Sequence, residues 1–481
     1  MASNHGRSHR LARCAPREVG INSERVLRFL DRVNADVGGL HSFMLLRHGR
    51  VAAEAWWAPY EAHRPHMLFS LSKSFTSTGI GLAVTEGRLG LEDRVLSFFP
   101  EEAPPTPSAN LKAMTIRHLL TMNTGHAEDT LGRTVRTTEG DWVRTFLSLP
   151  VEHAPGSRFV YNSGATYMLS AILQKSTGET LLRYLTPRIF EPLGIRGMTW
   201  ERCPKGINTG GWGLSITTED IARFGQLYLQ RGVWEGRQLI SGDWVDAATS
   251  RQVSNGDDPN NDWTQGYGYQ FWRSRHGAYR GDGAFGQYCI VLPAQDAVIA
   301  ITSGVADMGA ILNAVWNDLL PAMRSEDAGT AEADAKLRQT SGRQRVPPPA
   351  GAATSPIASR LGGTVYRIAR NSAGIRTAAF AATPSRVTLT LVDDEHTPPL
   401  VCGLTDWVRG RTRYGGSAPT PVAAMAAWTS PQTLTIKACF YETPFIRTIV
   451  AVFDDDRLTL SWAENVGFGP TEGPTLVGTR L

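Results

Sequence analysis

Lysine is scarce in this chain. Of 49 lysines and arginines in 481 residues only six are lysine: Lys73, Lys112, Lys175, Lys205, Lys336 and Lys437. Arginine is the default cation, so a lysine at a chemically suggestive position stands out. Cysteine is sparse too. Cys14, Cys203, Cys289, Cys402 and Cys439 are odd in number, scattered and without a CxxC pair, which argues against a disulfide framework or a zinc site and for a reducing compartment, the cytoplasm. No apolar run approaches a membrane span. The first fifteen residues carry Arg7, Arg10 and Arg13 with no apolar stretch behind them, unlike a secretory signal, although an Arg-rich, acid-poor start also fits an organelle transit peptide. A strong excess of one charge is missing: the formal net charge is +4, and no basic run is interleaved with aromatics. Neither nucleic acid nor membrane is therefore an expected partner. There is also no GxSxG elbow, no HExxH and no Cys/His cluster of ligand spacing, so no metal and no cofactor is expected.

What is present is globular. Hydrophobic residues make up 42% and charged residues 20% of the chain, and the length predicts two domains. Residues 22–33 have an Asn-Ser start and apolar residues at helical spacing, Val26, Phe29, Leu30 and Val33. Strand-like runs follow at His41–Leu46 and Val51–Trp57, turning around Gly49. A helix is expected from about Ser70 to Thr85, with others at 115–122, 139–148, 163–176 and 218–231. Strands return at Tyr267–Trp272, Gln287–Leu292 and Ala297–Ser303, before a helix over Asp307–Leu320. Strands at both ends of a helical middle predict an α+β unit over residues 16–323, in which one sheet closes around a helical insert. Residues 1–15 read as an extension. Residues 324–350, ending in Pro347-Pro348-Pro349, read as a linker. From 351 to 481 the alternation of Leu434, Ile436, Ala438 and Phe440, and a hairpin at Asp454-Asp455-Asp456, predict a small all-β, barrel-like domain.

Three local patterns carry chemistry. In Ser70-Leu71-Ser72-Lys73 a hydroxyl and an amine three residues apart share one helical face. Serine becomes a nucleophile only when a base takes its proton, and a lysine serves as that base only when desolvation or a nearby cation lowers its pKa. No other lysine of the chain has a serine three residues before it. Ser72, Ser74 and Ser77 leave open a plain polar helix face. The second pattern, Tyr161-Asn162-Ser163, enters a helix. Its phenol, near an ammonium, can act as a base, while Ser163 passes protons or holds the lysine; a packed loop tyrosine with Ser163 as helix cap is the alternative. The third is Gly281-Asp282-Gly283-Ala284-Phe285-Gly286-Gln287. It contains GxGxxG, but a strand follows where a dinucleotide site needs a helix. Glycines here let an edge strand approach a substrate, so that the Ala284 N–H joins that of Ser70 in an oxyanion hole, or they form a Gly-rich hairpin turn. His126 and His153 fall in nearby loops and read as structural.

In this order the three patterns resemble the serine β-lactamase and penicillin-binding-protein-like superfamily, nearest its class C-like esterase and amidase branch. Further stretches extend the resemblance: LRHGRVAAEAWW, TIRHLLTMNTGH, GGWGLSITTEDIARFGQLYLQRG, and GYGYQFW with GAFGQYCIVLPAQDAVIAITSG are similar to nylon-oligomer-hydrolase and carboxylesterase relatives. The resemblance covers about residues 16–323. It implies a β-lactamase/transpeptidase-like antiparallel sheet flanked by helices, Ser70 as acyl-enzyme serine with Lys73, an assisting Tyr161 with Ser163, and Gly281 to Gly283 on the pocket's edge strand. The trailing β domain resembles the lipocalin-like domain of some relatives, peptide-cyclising members among them. One departure is plain. Gly281 stands where β-lactamases and peptidases carry Lys or His to meet the substrate carboxylate, and Arg280 fills that role only if the alignment slips by one residue.

The expected activity is hydrolysis of a small ester or amide through an acyl-enzyme on Ser70. A transacylase or peptide cyclase would pass the same acyl group to an amine or alcohol, because the two differ only in whether water or an acceptor reaches one intermediate. A catalytically silent binding protein built on the β domain is the reading from another class. The expected partner is a small-molecule or peptide acyl substrate.

Overall fold

The computed structural model describes residues 10–135, 140–324, 327–415 and 418–481. Most of the expected extension, residues 1–9 with Arg7, lies outside the described residues, as do residue 139 of the expected 139–148 helix and residues 325–326 of the expected linker.

The first unit is built on a six-stranded antiparallel sheet in the order Arg50–Trp56, Leu40–Arg47, Ala297–Ser303, Gln287–Leu292, Tyr279–Gly283, Trp272–Arg273. Leu40–Arg47 lies directly beside Ala297–Ser303, pairing Phe43 with Ile301 and Leu45 with Ile299, so strands more than 250 residues apart in sequence close the sheet around the intervening helices. The period-2 alternation divides these strands between two cores. Met44, Leu46, Val291, Val298 and Ala300 face the helices of the insert. Phe43, Leu45, Ile290, Ile299 and Ile301 face Ser23–Arg32 and Met308–Ala314. The expected elements appear with ends shifted by one to a few residues: helices Ser23–Arg32 (capped by the Asn22 side chain), Ile116–Leu120, Trp142–Ser148, Ser163–Thr177 and Thr218–Leu229.

Two expectations give way. Tyr267–Trp272 is not a strand, and only Trp272–Arg273 pairs with Tyr279–Gly283. Gln270 sits in the left-handed region (φ 63°), and its buried side chain donates to the carbonyls of Leu119 and Leu120. That anchor turns the chain out of register with any neighbour. The segment read as a linker holds a helix, Ala331–Ser341, which packs on Ser23–Arg32 and buries Leu337. Its charges concealed a one-sided helix.

Among the described residues the elements from Thr364 onward are all strands. Nine strands form a barrel. The first, Thr364–Ile368, pairs with the last, Leu476–Arg480, and the ring closes where Gly403 meets Met425 in a parallel pairing. Val408–Arg413 hairpins onto the outside. Leu434, Ile436 and Ala438 point inward while Thr433, Thr435 and Lys437 are half-exposed, as alternation requires. Among the described residues no helix is long and apolar enough to cross a membrane.

Candidate active site

Ser70 lies in a 3-10 turn, Phe69–Leu71, that feeds helix Ser72–Thr85. This helix runs through the middle of the first unit, with residues Ser72 to Ala83 buried on every side. Small side chains make that possible, since a Cβ on Gly81 would come within 2.4 Å of Trp244. The hydroxyls are mostly satisfied internally: Ser72 Oγ accepts from the Leu214 amide (3.1 Å), Ser74 Oγ donates to Gln270 O (2.9 Å), and Thr78 Oγ1 bonds back to Ser74 O (2.9 Å). The stretch is therefore no solvated polar face. Ser70 is the hydroxyl left at the accessible end.

Lys73, only 2% exposed, reaches back to it. Its Nζ lies 3.1 Å from Ser70 Oγ, 3.1 Å from Ser163 Oγ and 2.7 Å from the Gly211 carbonyl, and 4.9 Å above the Tyr161 ring. Burial pulls this amine from the usual lysine range down to about 7, against the opposing pull of Asp129 and Asp282. A neutral amine has two hydrogens and one lone pair. The carbonyl of Gly211 takes one hydrogen, Ser163 accepts the second, and the lone pair is left for the Ser70 hydroxyl. Gly211 has to be glycine here, as a Cβ would lie 2.9 Å from Ser163 O and 3.5 Å from Lys73 Nζ.

Tyr161 and Ser163 come from one helix start. Asn162, not Ser163, is the cap: its Oδ1 accepts from the Ala165 amide (3.2 Å). Ser163 thus stays free to face Lys73, its own amide donating to Asp129 Oδ1 (2.9 Å). The Tyr161 ring stacks on Trp272 (centroids 5.3 Å, 22° between planes) and meets Tyr267 edge-on. Burial and the nearby Asp282 carboxylate push the phenol above its usual pKa, with the Ser70 hydroxyl pulling the other way. Tyr161 is a neutral phenol at physiological pH, so a phenolate base is not what this environment favours. Lys73 is the group poised near neutrality.

The third wall is the strand Tyr279–Gly283, which Trp272–Arg273 flanks at Tyr279 and Arg280, so that Gly281–Gly283 lie at the edge of the sheet. Its end presses on the serine turn so closely that a Cβ on Gly283 would lie 2.0 Å from Leu68 O and 3.1 Å from Leu71 N. Among the described residues neither the Ser70 amide nor the Ala284 amide donates to a protein acceptor. Two unpaired N–H donors on abutting segments are what an oxyanion site requires. Flanking them, Phe69 (φ 48°) and Phe285 (φ 67°) hold left-handed backbones, a strain of about 1–3 kcal/mol each for a non-glycine residue. A Gly283→Ala variant is expected to lose more than about tenfold in kcat/KM by forcing the strand off the turn, following the known sensitivity to small misplacement. Steady-state kinetics alongside a thermal melt checks this, and an alanine variant with full activity would contradict the close approach.

Gly281 has no room for the missing cation. A Cβ would fall 2.4 Å from Leu71 Cδ1 and 2.6 Å from Ser74 Oγ. Arg280 does not replace it. Fully buried, it is paired with Asp282 (2.9 Å) and bonded to Asp262 O and Ser274 Oγ. The histidines stand apart: His126 is buried against Phe146 and bonded to Thr124, and His153 neighbours Arg158 on the surface. Gly211, Gln270 and Trp272 were not anticipated as site residues. Only the Gly210-Gly211 pair carried a local signal, because a backbone acceptor leaves no mark in side-chain chemistry.

Residues 36–353 match the family described as Beta-lactamase. Over 288 residues the chain is 28% identical to the 6-aminohexanoate-dimer hydrolase of Paenarthrobacter ureafaciens, which covers 55% of this chain and 73% of that protein. It is 28% identical over 176 residues to the esterase EstB of Burkholderia gladioli, covering 32% of this chain and 45%, less than half, of the esterase. In fold it is similar to the octameric penicillin-binding protein homologue of Pyrococcus abyssi, with a TM-score of 0.50 at 16% identity, over 95% of this chain and 99% of that one. That likeness takes in the barrel as well as the first unit.

Proposed function

The chain belongs to the beta-lactamase family, and we propose that it acts as a serine hydrolase on a small ester or amide, forming an acyl-enzyme on Ser70. The observation that carries this reading is the buried Lys73 amine, drawn down to about 7 and lying 3.1 Å from Ser70 Oγ. Ser70 Oγ attacks the substrate carbonyl as its proton passes to Lys73 Nζ. The resulting oxyanion takes hydrogen bonds from the Ser70 and Ala284 amides. Lys73 then returns the proton, through the neutral Tyr161 phenol or directly, to the departing alcohol or amine. Water, activated by the same amine, releases the acid. An amine or alcohol in place of water would make the enzyme a transacylase. The catalytic unit is residues 16–323, and 324–350 runs from it to the β domain at 351–481.

The substrate class follows from the edge strand. A β-lactam or D-alanyl peptide carries a carboxylate, and a charge-assisted bond to it is worth roughly 1.5–3 kcal/mol. Gly281 supplies none, Arg280 is locked into Asp282, and Asp282 has the wrong sign. Hydrolysis of p-nitrophenyl butyrate should therefore exceed that of nitrocefin in kcat/KM. The test pairs this comparison with a fluorophosphonate label on Ser70, each run with and without added amine. Comparable nitrocefin turnover would withdraw the carboxylate-free class, and an unlabelled Ser70 would withdraw the enzyme reading itself.

A further inference from the structure

Phe468 is the most exposed large apolar residue described, at 77%, yet it is not an isolated surface ring. It lies on the barrel, in the loop after strand Arg457–Glu464, and its ring centroid is 4.8 Å from that of Phe285 and 5.7 Å from that of Phe69. Those two rings meet edge-to-face at 5.4 Å. A second barrel residue, Phe445, joins them at 5.8 and 6.2 Å. Two of the four rings belong to the neighbours of the oxyanion donors: Phe69 precedes Ser70 and Phe285 follows Ala284, and these are the two strained left-handed aromatics of the site.

The barrel is held so that its rings stay there. The Met67 amide donates to Glu442 O (2.8 Å), just before Phe445 in sequence. Asn465 Nδ2 donates to Gly304 O and Pro444 O (2.9 Å each), and Asn465 Oδ1 accepts from the Ile446 amide (2.7 Å). One asparagine thus ties the Phe445 loop, the Phe468 loop and the end of the catalytic sheet together.

We infer that Phe69, Phe285, Phe445 and Phe468 form a composite subsite, shared between the catalytic unit and the barrel, that receives an aromatic or long apolar acyl group of the substrate. This rests on the acyl-enzyme reading and deepens it: the barrel is a specificity element of that site. A carbonyl held by the Ser70 and Ala284 amides has its acyl substituent beside the residues next to those amides, which are the two phenylalanines. Ring faces and edges suit a flat apolar group, and Phe468, 77% exposed where Phe285 is 8% exposed, has most of the surface left to bury against one. Strain at Phe69 and Phe285 is then the cost of aiming two rings at one place.

The test holds the leaving group constant and varies the acyl chain. p-Nitrophenyl acetate, hexanoate and phenylacetate are compared on the full-length wild type, Phe468→Ala, Phe445→Ala and a control, Val452→Ala, on an exposed barrel strand position. The wild type is expected to prefer phenylacetate and hexanoate over acetate. Phe468→Ala should reduce the phenylacetate-to-acetate ratio of kcat/KM by about tenfold, the usual scale for one apolar contact in a binding pocket, mainly through KM. Val452→Ala should leave the ratio where it was. Because Phe468 is exposed, its variant folds, and a thermal melt confirms it. An unchanged ratio in Phe468→Ala with acetate turnover retained would overturn the subsite alone. A change in sedimentation without a change in ratio would assign the ring to self-association and overturn it as well. A wild type inert to every ester and to fluorophosphonate would instead overturn the acyl-enzyme reading beneath it.

Discussion

Ser70→Ala is expected to abolish covalent labelling and to lower ester turnover by more than about a thousandfold, as losing a nucleophile does elsewhere. Three other serines crowd the same stretch, and the structure separates them by what their hydroxyls touch. Ser70 Oγ faces Lys73 Nζ at 3.1 Å. Ser72 Oγ is engaged with the Leu214 amide and Ser74 Oγ with Gln270 O, both inside the protein, and Ser77 is fully buried. Ser72→Ala should therefore cost about 1 kcal/mol of stability, the worth of one buried hydrogen bond, while labelling persists. Mass spectrometry after incubation with an activated ester locates the adduct. An adduct on Ser72 or Ser74 would reassign the nucleophile.

Lys73→Arg is expected to cost more than about a hundredfold in kcat/KM, close to the loss in Lys73→Ala, although it keeps the charge. The cradle around the amine consists of Gly211 O, Ser163 Oγ and Ser70 Oγ within 3.1 Å, too tight for a planar guanidinium. Arginine also holds its proton at any working pH. Lysine does not. With burial lowering Lys73 to about 7, a Lys73 that acts as the base is active in its deprotonated form, so kcat/KM is expected to rise as pH increases through about 7 and then level off. The sign follows from the role: a base must be free of its proton before it can take another. The pH profile of the wild type should show this acid limb, and the residual activity of Lys73→Arg should lack it. An arginine variant with most of its activity and an unchanged limb would mean that Lys73 acts by charge alone.

Much of this was legible in the chain. Leu40–Arg47, Gln287–Leu292 and Ala297–Ser303 announce themselves through the apolar stretches at their centres, as strands buried on both faces do, and helix Ser163–Thr177 lies where a helix over 163–176 was expected, though with Asn162 rather than Ser163 as its cap. The rarity of lysine drew attention to Lys73. What misled was equally local. Tyr267–Trp272 has strand composition, yet its conformation is set by Gln270 bonding to carbonyls about 150 residues earlier. The helix Ala331–Ser341 looked like linker because few of its residues need burying.

The sequence by itself determined the identities on which the proposed chemistry rests: a serine three residues before a lysine, a Tyr-Asn-Ser, and glycines opening onto a strand. It also determined the two-part architecture, since alternation and helical spacing are properties of neighbouring residues. Only the tertiary structure decided how those identities behave. The Lys73 amine loses its charge near pH 7 because distant segments around Gly211, Ser163 and Tyr161 exclude water from it, whereas the same exclusion keeps the Tyr161 phenol protonated. Arg280 is held not only by Asp282, two residues along its own strand, but also by the Asp262 carbonyl and the Trp263 ring, which the fold brings over it. Phe445 and Phe468 reach Phe69, the serine's neighbour, from more than 370 residues away because the barrel docks on the end of the catalytic sheet. Desolvation and docking are sums over residues remote in sequence, and no local pattern in the chain encodes them.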